Sequence, residues 1–171
     1  MTTADADRYG VLHDAAEGLL DDLEHRYIVE RREAKETFRA DGPLVRTVWL
    51  VPHTPAAAPL GVMFTDVPGV VLRLGRWYQQ SLPACGCPAC DEDPATLRKE
   101  LRTRAAALVE GGLWERVRRR VSGSWSQARL IGPDFTTAQQ APLDPGEARE
   151  ARRAGFAAPV QWAPWPERPT G

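Results

Sequence analysis

All three cysteines of this 171-residue chain, Cys85, Cys87 and Cys90, fall within the run LPACGCPACDED that spans residues 82 to 93. Cys87 and Cys90 form a CxxC, the spacing of a zinc knuckle, and Cys85 adds a third thiol two residues earlier. Gly86 supplies the backbone freedom for a turn that would bring the sulfurs onto one ion, and Pro88 fixes the chain just after the middle cysteine. Thiolate sulfur is soft and selects zinc over calcium or magnesium. The expectation is therefore a structural Zn²⁺ held by Cys85, Cys87 and Cys90. Tetrahedral zinc needs a fourth ligand, and the chain has no second CxxC or CxxH to supply one. Asp91, Glu92, Asp93, His53 or a water could complete the site. His53 is the best chemical match but would have to arrive through tertiary contact.

Two other readings of the same thiols stay open. Cys87-Pro-Ala-Cys90 has the spacing of a glutaredoxin active site, and Asp93-Pro94 opens a helix soon after it, which can lower a cysteine pKa. A thioredoxin-like fold would need a βαβ unit leading in, and the sequence places a strand meander there instead. The third reading is three reduced thiols in a tight turn, packed as small apolar groups.

A second grouping is electrostatic. Residues 98 to 120 carry Arg98, Lys99, Arg102, Arg104, Arg116, Arg118, Arg119 and Arg120 against Glu100, Glu110 and Glu115, with Trp114 and Trp125 close by. Such a run could hold phosphates and stack bases. Read as helix throughout, it sends Arg118 to Arg120 in different directions, and a nucleic-acid partner is not expected. Arg76, Trp77 and Tyr78 could line a pocket for an anion, or Arg76 could stack on a core aromatic. Trp162 and Trp165, in WAPWP, are expected to dock on the protein's own surface. The chain lacks a Walker loop, GxGxxG, GxSxG and HExxH, so catalysis has little support.

These groups have to be positioned by a small set of elements. Leu12, Ala16, Leu19, Leu23 and Tyr27 recur at helical spacing and predict a helix over 7–25. Alternation and β-branched residues predict strands over 27–36, 43–52, 60–66 and 69–77, the last two joined through the hairpin signal Asp66-Val67-Pro68-Gly69. Asp93 as N-cap, Pro94 at the first turn and Gly111-Gly112 as a stop predict a helix over 94–110. A short helix over 113–121, a fifth strand over 122–132, a short helix over 145–155 and an extended Pro-rich tail complete the expectation.

The run GVVLRLGRWYQQSLPACGCPACDED from Gly69, followed by an Arg/Leu helix, resembles the domain of unknown function 6226 family of actinobacteria. VERRE at Val29 to Glu33 fits the same pattern, and the resemblance covers most of residues 9 to 165. Its most specific part is Gly75-Arg76-Trp77 with the CGCxACDE stretch. The resemblance implies an organisation and no activity.

The reading is a single α+β domain over 7–158, after a disordered 1–6 and before a Pro/Trp-rich tail at 159–171. A mostly antiparallel meander of four to five strands would pack on the two helices and bury Leu12, Leu19, Leu23, Trp49, Val51, Met63, Phe64, Val71, Leu101 and Leu108. Net charge is −1, which implies no global field toward nucleic acid or membrane. The N-terminus shows no signal-peptide pattern, and the longest uncharged stretch, Thr47 to Thr65, is broken by Pro52, Pro55 and Pro59. The expected role is a small cytoplasmic interaction or ligand-binding module for a protein or small molecule. A thiol-redox protein using Cys87 and Cys90 and a nucleic-acid binder using residues 98–120 are the alternatives.

Overall fold

A computed structural model describes residues 3–66, 69–84 and 91–171, with side chains from Asp7 onward. The cysteine stretch 85–90 and the hairpin residues 67–68 lie outside the described residues. The fold is α+β and contains two antiparallel sheets.

Helix α1 (Thr3–Arg26) begins ahead of the expected position 7 and buries Tyr9, Leu12, Ala16, Leu20 and Leu23. Leu20 takes the core position expected of Leu19, which sits at the core edge. The two neighbours are equally apolar, and one residue of helix rotation decides between them.

The first sheet follows as a meander of β1 (Val29–Glu36), β2 (Val45–Pro52), β3 (Leu60–Phe64), β4 (Val70–Leu74) and β5 (Tyr78–Leu82), each paired with the next. Its helix-facing side carries Val48, Leu50, Leu60, Val62, Leu72 and Leu74, all fully buried. Trp49 and Val51, expected in the core, point to the opposite side and are half-buried. Trp49 lies across Gly61, its partner on β3, where a Cβ would sit 2.7 Å from the indole ring. Its Nε1 donates to Glu36 Oε2 at 2.6 Å. A strand apolar on both faces gives no parity signal, so its sequence does not say which face the helices cover. On that outer side Val45, Met63 and Val71 form a small separate cluster with Phe38.

Helix α2 (Pro94–Val109) starts as expected. The Asp93 carboxylate accepts from Thr96 N at 3.1 Å and from Thr96 Oγ1 at 3.0 Å. It packs against α1 and contributes Leu97, Leu101, Ala105 and Leu108 to the main core.

The second sheet departs from the expectation. Residues expected as a short helix form β6 (Leu113–Arg120), which pairs with β7 (Gly123–Ile131). β7 pairs with β8 (Thr136–Leu143), and after α3 (Pro145–Ala151) and a π-turn (Arg152–Phe156) the chain returns as β9 (Val160–Gln161) on the free side of β6. The expected fifth strand therefore belongs to this separate four-stranded sheet, in the order β8-β7-β6-β9. The physical reason is alternation: Leu113, Glu115 and Val117 point inward, and Trp114, Arg116 and Arg118 point outward. β5 and β8 went unread because their Gln, Thr and Ser residues carry no apolar alternation.

The inner face of the second sheet is covered in two halves. Leu113, Ala128 and Leu130 join the core beneath α2. Val117 packs with Ala148, Ala151 and Phe156 of α3 and the π-turn. The tail runs back along the first sheet. Trp165 is buried and its Nε1 donates to the Ala58 carbonyl at 2.8 Å. Ile28 N donates to the Pro166 carbonyl at 2.9 Å. Among the described residues no helix is long and apolar enough to cross a membrane.

Candidate binding face and the buried carboxylate behind it

Strand parity places one set of side chains on the outer face of the second sheet. From β6 come Trp114, Arg116, Arg118 and Arg120, and from β7 come Trp125, Gln127 and Arg129. Ala138, Gln140 and Pro142 of β8 continue the same rows, because Arg129 pairs with Ala138, Gln127 with Gln140 and Trp125 with Pro142. A depression of about 540 Å³ lies over this face, lined by Trp114, Arg116, Arg118, Gln127, Arg129 and Gln140 among others, with Pro159 and Gln161 at the β9 edge.

The electrostatics of the face are one-sided. In all four strands the only carboxylate is Glu115, and it points inward. None of Arg116, Arg118, Arg120 and Arg129 forms an ion pair among the described residues. Arg116, Arg120 and Arg129 are held by aromatic rings or amides instead, and Arg118 is exposed. The Arg116 and Arg129 guanidinium carbons lie 5.8 Å and 5.1 Å from the Trp114 ring, and that of Arg120 lies 5.1 Å from the Trp125 ring. Arg116 Nε donates to Gln127 Oε1 at 2.7 Å and Arg120 Nη2 donates to Gln140 Oε1 at 2.6 Å. Cation–π contact and an amide carbonyl orient a guanidinium without neutralising it, so the face keeps its full positive charge.

Glu115 sits on the other side of the same strand and joins the two sheets. Its Oε1 accepts from Trp77 N at 2.7 Å and Tyr78 N at 3.3 Å. Its Oε2 accepts from Arg76 N and from Trp162 Nε1, both at 2.9 Å. Burial pushes this carboxyl above the ordinary glutamate value, while the four N–H donors pull the other way. Gly75 has φ +65°, and a Cβ there would lie 2.6 Å from Glu115 Oε2. The Gly75-Arg76-Trp77 signature is thus the β4–β5 turn, shaped to lay successive backbone N–H groups on one buried carboxylate. The Arg76 guanidinium stacks between Trp77 and Phe156, at 5.4 Å and 5.5 Å, which is the core-aromatic reading of that residue.

A second contact locks the sheets together. The Gln139 amide pairs with the backbone of Gln79: Gln79 N donates to Gln139 Oε1 at 3.0 Å, and Gln139 Nε2 donates to Gln79 O at 2.7 Å. One side chain thereby caps the exposed edge of β5.

Of the residues expected at a metal, Cys85, Cys87 and Cys90 lie outside the described residues. Among the fourth-ligand candidates, the structure sets Asp91, and with it Glu92 and Asp93, apart from His53. Asp91 forms an ion pair with Arg8, and Tyr9 Oη donates to the neighbouring Glu92 carbonyl at 3.0 Å. Both contacts hold the start of the 91–93 segment against the N-terminal half of α1. His53 is exposed and follows β2 at the end of the first sheet where β5 begins. Leu82, which leads into the cysteine stretch, lies at the other end of that sheet. Among the described residues no group of three or more ligating side chains is close enough to hold a metal.

Sequence reasoning missed Glu115, Gln127, Arg129 and Gln140 as members of a site. Reading LWERVRRR with period two would have found the first of them and put Arg116, Arg118 and Arg120 on one side.

These features define an α+β protein of two antiparallel sheets, one with a basic, carboxylate-free outer face. The chain belongs to the family described as Family of unknown function (DUF6226), whose model matches residues 1–169. No curated protein and no solved structure matches it.

Proposed function

We propose that this protein is a binding module that presents the outer face of its second sheet to an anionic partner. The observation that carries the reading is the set of four arginines on one face of β6 and β7 that have no carboxylate partner among the described residues. Placing like charges together costs stability unless a ligand of opposite sign repays it, and nothing in the packing of the core requires them. The reading of this run as helix, which scattered Arg118 to Arg120, does not apply to its second half, because β6 is a strand. The α2 half of that run is different: Arg104 is ion-paired with Glu100 at 2.7 Å.

The test is retention on immobilised inorganic polyphosphate, eluted with salt, for wild type and for Arg116→Glu/Arg118→Glu. Retention that depends on salt and is lost in the double variant is the expected result. Equal elution of the two proteins would sink the proposal.

A structural zinc at Cys85, Cys87 and Cys90 is a separate proposal, supported by their spacing and by the chemistry of thiolates alone. Metal content by plasma mass spectrometry on untagged protein tests it, beside Cys87→Ser. About one zinc per chain, lost in the variant, is the expected outcome. Well-folded protein without stoichiometric metal would rule it out and turn attention to thiol-redox use of Cys87 and Cys90.

A further inference from the structure

Building on the anionic-partner reading, we infer that the occupant of this face is a single-stranded nucleic acid lying along β6. Three features of the face point there. The first is periodicity. Arg116, Arg118 and Arg120 stand at every second residue of one strand, so their Cα atoms recur about 6.8 Å apart. Successive phosphates of an extended single strand recur on a similar scale, and one arginine can serve each.

The second is hydrogen-bond polarity. The Oε1 atoms of Gln127 and Gln140 are used by Arg116 and Arg120, which turns each amide so that its N–H₂ remains to be offered. The guanidiniums bring further donors and no acceptors. Donors therefore dominate the face over β6 and β7, with the Gln161 amide oxygen an acceptor at the β9 edge, which suits the non-bridging oxygens of phosphodiesters and the carbonyl edges of bases.

The third is the pair of indoles. Trp114 and Trp125 are only half-buried, and each lies beside a guanidinium. Polyphosphate and the side chains of aspartate and glutamate offer no aromatic ring to place against them, and a duplex keeps its bases stacked inside. An unpaired base can lie on an indole or on the plane of a guanidinium, a contact that accepts any base. The basin of about 540 Å³ falls within the range of small-ligand sites, about 300–1,000 Å³.

The experiment is fluorescence anisotropy on the full chain with four probes: labelled oligothymidylate, an abasic strand of the same length, the corresponding duplex, and polyglutamate. Inorganic polyphosphate serves as competitor. Oligothymidylate is expected to bind about tenfold or more tighter than the abasic strand, since each stacked base contributes on that scale. Its affinity should fall steeply with salt. Trp114→Ala, with Trp125→Ala as second variant should the first fail to fold, should bring the base-bearing and abasic strands to nearly equal affinity while polyphosphate still competes. Equal binding of the base-bearing and abasic strands by wild type would overturn this inference and leave the anionic-partner reading standing. Preference for the duplex or for polyglutamate would overturn it in favour of that partner. Failure of every polyanion to bind would remove both.

Discussion

The two sheets carry comparable numbers of arginines and treat them in opposite ways. On the first, Arg31 is surrounded by Glu17, Asp21 and Glu24, at 3.1 Å, 2.7 Å and 3.3 Å. Arg46 bridges Glu17 and Glu33, Arg32 pairs with Glu30, and Arg73 reaches Glu36 at 3.9 Å. Every one of those cations has its counter-charge inside the protein. On the second sheet the carboxylate is behind the strand and Arg116, Arg118, Arg120 and Arg129 are in front of it, with Arg116, Arg120 and Arg129 braced by tryptophan or glutamine. The same residue type serves as cement where α1 meets the first sheet and as an unneutralised surface where no helix covers the second. Composition is blind to this, because the whole chain sums to −1.

The comparison can be sharpened by removing its parts in turn. Glu115→Gln should have the largest effect on stability. The amide would turn an N–H₂ toward backbone and indole N–H groups that now have acceptors, so donors face donors. A loss of about 3 kcal/mol, or a fall in Tm of about 10 °C, is expected by thermal and urea denaturation. A near-neutral change would mean that the turn at Gly75 to Trp77 does not depend on that carboxylate.

Arg116→Glu/Arg118→Glu should reduce polyanion affinity about a hundredfold at low salt yet leave Tm within a few degrees, as surface changes do. A large stability loss would show that these arginines are structural after all, as on the first sheet. Arg31→Ala is the mirror experiment. It should cost about 1–2 kcal/mol, because three carboxylates are left facing one another, without changing polyanion binding. Equivalent behaviour of Arg31 and Arg116 in both assays would dissolve the distinction between the sheets.

The smallest effect concerns pH. Glu115 has a folded-state pKa raised above its ordinary 4.5, so the fold favours its protonated form more than the unfolded chain does. That contribution is fully present below the unfolded value and is lost as pH rises through the folded value. Stability of wild type measured against Glu115→Gln should therefore decline with rising pH across that window. A relative gain would show that the four donors outweigh burial.

Local signals carried much of this protein. The α1 stripe, the Asp93 cap with Pro94, the Gly111-Gly112 stop and the β-branched runs of β2, β3 and β4 are written in neighbouring residues, and those elements form close to where they were expected, except that α1 starts earlier, at Thr3, and β4 stops at Leu74 instead of running to 77. The same holds for the own-surface docking of Trp165, since a large indole beside prolines has little alternative in water. β6 was misread because a glutamate and four arginines in eight residues resemble an exposed helix unless one knows that Glu115 has four donors waiting. Those donors come from residues 76–78 and 162, distant in sequence. Helix or strand at 113–120 was therefore a tertiary decision, and it also decided whether Arg116, Arg118 and Arg120 scatter or align. The sequence by itself determined which segments could be helices and strands, because propensity, capping and periodicity act over a few residues. Tertiary structure alone decided that there are two sheets, which face of each is covered, and which arginines are neutralised, because each depends on groups brought together from far along the chain.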